Sequence, residues 1–230
     1  VSNRFSGESI VTSEAAQLLE RVGPAWRRRD VAALLALLEQ QWPSERLARL
    51  LRCDDAAVVC LAAGCLGMVG SLRDEAALAE LLHCKDADTR DAAEDALWRL
   101  WMQAGSSCGN AMLAEALKHV ERDEFDAALA LLDHLTIDEP TFAEAHHQRG
   151  IVLHLLDRLE PAAEAYKIAI DLNPHHFRAM ASLGHVFAQR GKLAGALRAY
   201  RAALRVHPGL SELREVVPQL AAAIDRRSVA

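Results

Sequence analysis

The sequence predicts an all-α protein, a right-handed α-solenoid of helix-turn-helix repeats. Three observations carry this. The second half repeats every 34 residues, the first half repeats every 31, and in both the apolar residues recur at helical spacing. The composition agrees: 51% hydrophobic and 25% charged, with 12 Gly and 7 Pro in 230 residues, builds a packed core and excludes collagen-like, mucin-like and wholly disordered chains.

Residues 1–12 are polar and read as a tail without a secretory signal pattern. Helices are expected over 13–29 and 31–41, the first of them broken or kinked by Gly23 and Pro24. Residues 47–66 then align with 78–97. Leu47 matches Leu78, Leu50 matches Leu81, and Cys53/Cys84, Asp55/Asp86, Ala62/Ala93 and Leu66/Leu97 coincide. Each unit is a short amphipathic helix, an acidic turn and a longer helix. This pattern resembles HEAT-like repeats, which implies a turn Asp (Asp86) and an Arg on the second helix (Arg90), with Val59 in the Arg position of the earlier unit. A HEAT-like region over 13–104 is expected. The apolar run Ala56–Val69 has 14 residues, short of the roughly 18 that a membrane span requires, and reads as a buried helix. Its Gly64, Gly67 and Gly70 lack the preceding strand of a dinucleotide fingerprint, so close helix packing explains them. There are five cysteines, an odd number, with no CxxC pair. Four sit in apolar helical contexts and are expected to be buried reduced thiols, which favours the cytoplasm.

A small polar connection, 103–110, precedes the second array, with Asn110 as a helix cap. Beyond it Pro140, Pro174 and Pro208 are 34 apart, as are Ala128, Ala162 and Ala196. Leu132, Tyr166 and Tyr200 keep the register, and so do Phe125, Leu159 and Leu193. Gly150 and Gly184 match, with Ala116 one unit earlier. Each unit reads as two helices. Ala179, Leu183, Val186 and Phe187 form the stripe of a first helix, and Leu193, Ala196, Leu197, Tyr200, Ala203 and Leu204 that of a second. Small residues at 150/184 and 162/196 admit close helix approach. Asp157 and Gly191 lie in turns, and each Pro follows a second helix, where it cannot extend the hydrogen-bond ladder.

These residues resemble the tetratricopeptide repeat. The resemblance covers units 109–142, 143–176 and 177–210, the first degenerate, with Met112, His146 and Met180 replacing the usual early Trp. A capping helix over 211–225 completes a domain spanning 105–230.

The net charge of −6 and isoelectric point near 5.9 argue against a nucleic-acid partner, and no catalytic or cofactor motif is present. The resemblance implies a concave groove lined by first helices, here Leu113, Leu117, His147, Gln148, Ile151, His154, Arg178, Ser182, His185 and Gln189. It also implies a comparison with the basic clamp that some of these proteins use for chaperone tails. The corresponding residues Leu113, Leu117, Gln148, Arg178 and Ser182 include a single base, so the expected ligand is a peptide with an apolar section and one acidic group near Arg178. His147 and His154 are two turns apart, about 10.5 Å, too far for one ion. No metal and no cofactor are expected, and His175 and His176, after Pro174, are expected to be solvated.

The function expected is a non-catalytic interaction scaffold for another protein or peptide segment. The alternative is a self-assembling homo-oligomer. Residues 109–177 carry 5 basic and 13 acidic side chains, whereas 178–230 carry 9 and 3, and Arg198, Arg201 and Arg205 share one helix face as an assembly surface.

Overall fold

The computed structural model describes residues 4–229, with side chains from 11 to 226. Every regular element among them is helical, and no helix is long and apolar enough to cross a membrane. The chain divides into two compact units, Val1–Leu100 and Trp101–Ala230.

In the first unit the helices are α1 (Arg4–Arg21), α2 (Gly23–Arg27), α3 (Val31–Gln41), α4 (Ser44–Leu50), α5 (Ala56–Val69) and α6 (Glu75–Leu81), and α7 (Ala87–Met102) runs past its end. Helix from Arg4 onward replaces most of the expected polar tail; residues 1–3 lie outside the described residues. Pro24 sits in the first turn of α2, where its missing N–H costs no hydrogen bond, so the break falls between α1 and α2.

The recurring aspartates of the 31-residue period are helix caps. Asp55 Oδ1 accepts from the Ala57 amide at 2.9 Å, and Asp86 Oδ2 accepts from the Thr89 amide at 2.8 Å and its hydroxyl at 2.6 Å. The hydroxyl bond, then the amide bond, hold the Asp86 carboxyl below its usual range. Arg90 donates to the carbonyls of Cys84 and Lys85, fastening its own turn.

Helix α5 is buried on nearly all sides, and its glycines are there for packing. A Cβ at Gly64 would strike the Trp26 ring, and one at Gly67 would strike the Ala96 backbone. The expectation of four buried cysteines is corrected. Only Cys65 is buried, its thiol pushed up to about 12 by desolvation, while Cys53 and Cys60 are half-buried and Cys84 and Cys108 exposed.

In the second unit the helices come in pairs: α8 (Ser107–Glu121) with α9 (Phe125–Asp138), α10 (Ala143–Leu155) with α11 (Leu159–Leu172), and α12 (Phe177–Gln189) with α13 (Leu193–Val206). α14 (Ser211–Val229) follows and packs on α13. The 34-residue period reappears as backbone geometry. Asp123, Asp157 and Gly191, with φ of 59°, 57° and 70°, occupy the left-handed region in the three turns. The next amide then reaches back five residues, Glu124 to His119, Arg158 to Leu153 and Lys192 to Phe187, at 2.9, 2.8 and 2.8 Å, so the last carbonyls of each first helix are satisfied.

Gly150 and Gly184 are where the aromatic of the second helix crosses the first: a Cβ at either would collide with Tyr166 or Tyr200. The core runs through Leu113, Ala116, Leu132, Ala145, Val152, Ala162, Tyr166 and Val186. The expected cap at Asn110 is corrected. Ser106 caps α8 by accepting from Gly109, while the Asn110 amide braces Gly105 and Gln103 from inside the helix.

Candidate functional site

A buried polar cluster joins the beginnings of α10 and α12. Glu144 enters on the first turn of α10, where the free amides and the helix dipole favour a carboxylate. His147 and Gln148, one turn on, both face it. His147 Nδ1 lies 3.1 Å from Glu144 Oε1, and Gln148 Nε2 donates to the same oxygen at 2.6 Å. The second oxygen, Oε2, is 2.9 Å from Nε2 of His176, which caps α12. The His176 ring lies between two others, stacked on Trp101 at 4.4 Å and tilted against His147 at 4.5 Å, with Phe177 beside Trp101. Glu144 is 1% exposed, His147 3% and His176 0%, so bulk water competes with none of these bonds.

The proton positions follow from the bonds. His176 Nδ1 accepts from the Ala179 amide at 3.2 Å, so its proton is on Nε2 and is donated to Glu144. Burial, and then the neighbouring His147, hold the His176 ring below its usual value, against the upward pull of Glu144. Burial alone would raise the Glu144 carboxyl. The charge and hydrogen bond of His147 and the hydrogen bond of His176 outweigh it, and the carboxylate stays ionised well below its usual range.

The ligand atoms of Glu144, His147 and His176 lie within 4.8 Å of one another, close enough for one metal ion. The proton inventory argues against that use. A metal-binding imidazole donates its other N–H outward, whereas His176 accepts an amide there, so a metal at Nε2 would break the cap of α12. The arrangement works as a hydrogen-bonded joint between two helix starts.

Two sequence expectations are therefore corrected. His176 is wholly buried rather than solvated, because its ring fills the joint against Trp101; His175 is half-buried. Leu113, His147 and Gln148 are buried and present no side chain to a ligand: Leu113 belongs to the apolar core, and the other two turn toward Glu144. Glu144 and Trp101 went unnoticed. The Glu-x-x-His spacing of Glu144 and His147 was the available signal, since residues three apart share a helix face.

The remaining predicted residues lie at the surface of α8, α10 and α12. Leu117, Ile151, His154, Arg178 and Ser182 are half-buried, and His185 and Gln189 are exposed. Several are fixed in place. His154 Nε2 pairs with Gln189 Oε1 at 2.8 Å across α10 and α12, Gln189 Nε2 approaches Asp157 at 3.4 Å, and the Tyr200 hydroxyl lies 2.9 Å from His185 Nδ1. Tyr166 reaches Ser182 by a hydrogen bond. Arg198, Arg201 and Arg205 are all exposed on α13.

Residues 113–174 and 156–211 match the family model of the tetratricopeptide repeat, and the chain carries such repeats there. A curated relative, tetratricopeptide repeat protein 33 of Mus musculus, is 26% identical over 147 residues, covering 60% of this chain; the chain spans about half of that relative, 56% of its length. Among solved structures, the Sgt2 tetratricopeptide domain of Aspergillus fumigatus is 17% identical at a TM-score of 0.51, covering 56% of this chain and 86% of its own. The first such domain of Spaghetti (RPAP3), bound to the HSP90 peptide SRMEEVD, is 17% identical at a TM-score of 0.50, covering 53% and 96%. These likenesses establish an α-solenoid of helix-turn-helix repeats over the part of the chain they cover.

Proposed function

We propose that the protein is a non-catalytic, cytoplasmic interaction scaffold that holds a peptide or protein segment on the surface of α8, α10 and α12. The observation that carries this is the set of half-exposed and exposed side chains held by bonds between helices: His154 to Gln189 and Tyr200 to His185 pre-position polar groups on α10 and α12, while Ile151 on α10 and Leu117 on α8 are half-buried apolar residues. Preorganised groups lose little freedom on binding, which favours recognition. A protein of the same fold holding an HSP90 peptide supports a peptide ligand. The ligand here differs in chemistry. With Leu117 on the surface and Arg178 alone as a base among the clamp positions, it is a segment with apolar residues and one acidic group. The first unit, by its 31-residue period, is a HEAT-like region offering a second surface.

The test is capture of partners from cell extract by the full chain and by the Ile151→Glu/Gln189→Ala variant, with circular dichroism as the control for folding. Partners retained by the wild type and lost by a fully helical variant support the reading. Identical capture by both overturns it.

A further inference from the structure

The edge formed by the turns of the second unit reverses its charge along the array. At positions 34 apart it carries Glu124, Arg158 and Lys192, and nine residues further on Asp133, Lys167 and Arg201. Within the array this change is used between neighbouring pairs. Arg158 lies 3.7 Å from Asp126, and Arg190 pairs with Glu160, the acid coming each time from the earlier helix pair.

At the last pair the series stops, because Ala194 stands where Asp126 and Glu160 stood. A recess of about 670 Å³ opens there, lined by Lys167, Lys192 and Arg198 with Phe187, Leu193 and Ile224 as apolar wall. Lys167 is bound to Glu164 at 2.7 Å. Lys192 and Arg198 have no carboxylate partner among the described residues. The opposite end of the same edge is its complement. In the first turn Glu121, Asp123, Glu124 and Asp126 are exposed around the half-buried Phe125.

We propose that the recess receives the acidic first turn of a second copy of this chain, Glu121 and Asp123 meeting Lys192 and Arg198, and Phe125 meeting the apolar wall. The charge balance favours a second copy: 109–177 has a net charge of −8 and 178–230 of +6, so each molecule carries both halves of the contact. The two surfaces are different patches, so the contact is heterologous and each added copy leaves a free end of both kinds. None of the proposed binding residues Ile151, His154 and Gln189 lines the recess.

Sedimentation velocity on the full chain, across protein concentration at low and high salt, tests this. The wild type is expected to associate at low salt and to become monomeric at high salt, because exposed charge pairs are screened. Lys192→Gln/Arg198→Gln and Glu121→Gln/Asp123→Asn are each expected to weaken association about tenfold or more. Asn is chosen because it tolerates the left-handed backbone at 123. An equimolar mixture of the two variants, each with one intact end, should restore a 1:1 complex and nothing larger. A wild type that is monomeric at every salt, association that survives both substitutions, or a mixture that stays monomeric overturns the proposal. Association lost instead in the Ile151→Glu/Gln189→Ala variant also overturns it, by placing the contact on the other surface.

Discussion

Removing the Glu144 carboxylate is expected to cost the second unit about 3–5 kcal/mol, the range for taking one partner from a buried charged network. The structure supplies the accounting. Three buried donors converge on this one group, His147 Nδ1 at 3.1 Å, Gln148 Nε2 at 2.6 Å and His176 Nε2 at 2.9 Å. Each donor left without an acceptor in a site closed to water costs about 1–3 kcal/mol, and shared relaxation keeps the sum below simple addition. Glu144→Ala therefore belongs near the top of the range. Glu144→Gln keeps one carbonyl acceptor but turns an NH₂ toward a donor, and is expected to cost about 2 kcal/mol. The assay is urea unfolding of the full chain by circular dichroism, with amide exchange at Ala179 as a local reading, because that amide is held by His176 Nδ1. With a slope of about 1–3 kcal/mol per molar urea, Glu144→Ala lowers the midpoint by about 1 M or more. The Ala179 amide should exchange faster in both variants. A Glu144→Gln protein with an unchanged midpoint and unchanged exchange at Ala179 would refute the claim that the carboxylate holds the two helix starts together.

Acidification is expected to destabilise the fold in two stages. His176 and His146 are held below the usual 6.5, chiefly by burial, so the unfolded chain binds their protons first and stability falls as pH drops through that value. Glu144, held below its usual 4.5, adds a second loss below that pH, which the Glu144→Gln variant should lack; a stability flat from about pH 7 to 5 contradicts the first stage, and no further loss below about pH 4.5 contradicts the second. Gly184→Ala should destabilise by about 1–2 kcal/mol, since overpacking against Tyr200 exceeds the gain of about 1 kcal/mol in helix propensity, and Tyr200→Leu in the same chain should recover part of it. Asp123→Gly should raise the urea midpoint, by about 0.5–1 kcal/mol in stability, because glycine adopts φ 59° without a Cβ clash; a lowered midpoint counts against this.

The helix pairs were legible in the sequence because each rests on local, repeated chemistry. A turn that requires the left-handed region can be filled by few residue types, so Asp157 and Gly191 stood out, and Asp123 completes their series. A glycine beneath a tyrosine is likewise a pair of letters at fixed spacing, Gly150 with Tyr166 and Gly184 with Tyr200. The acidic turns of the first unit were visible too, but their role was not. An Asp before a helix can be solvated or can cap, and only the amides of Ala57 and Thr89 decide it.

The buried cluster escaped for a physical reason. A histidine after Pro174 is, by local rules, a turn residue in water, and nothing within ten residues of it says otherwise. What buries it is Trp101, 75 positions earlier and 4.4 Å away, and what makes that burial tolerable is Glu144, 32 positions earlier, taking the Nε2 proton. His176 itself departs from the 34-residue period: Phe142 occupies its place one unit before, and Leu210 one unit after. A periodic reading treats such departures as noise, yet an apolar position that becomes His needs a buried acceptor or it destabilises the core. The useful rule for this array is to look for a buried acceptor wherever the period places a histidine in an apolar register: the Glu144 carboxylate, on the preceding first helix, serves His176, and the Pro140 carbonyl, 3.0 Å from Nε2, serves His146.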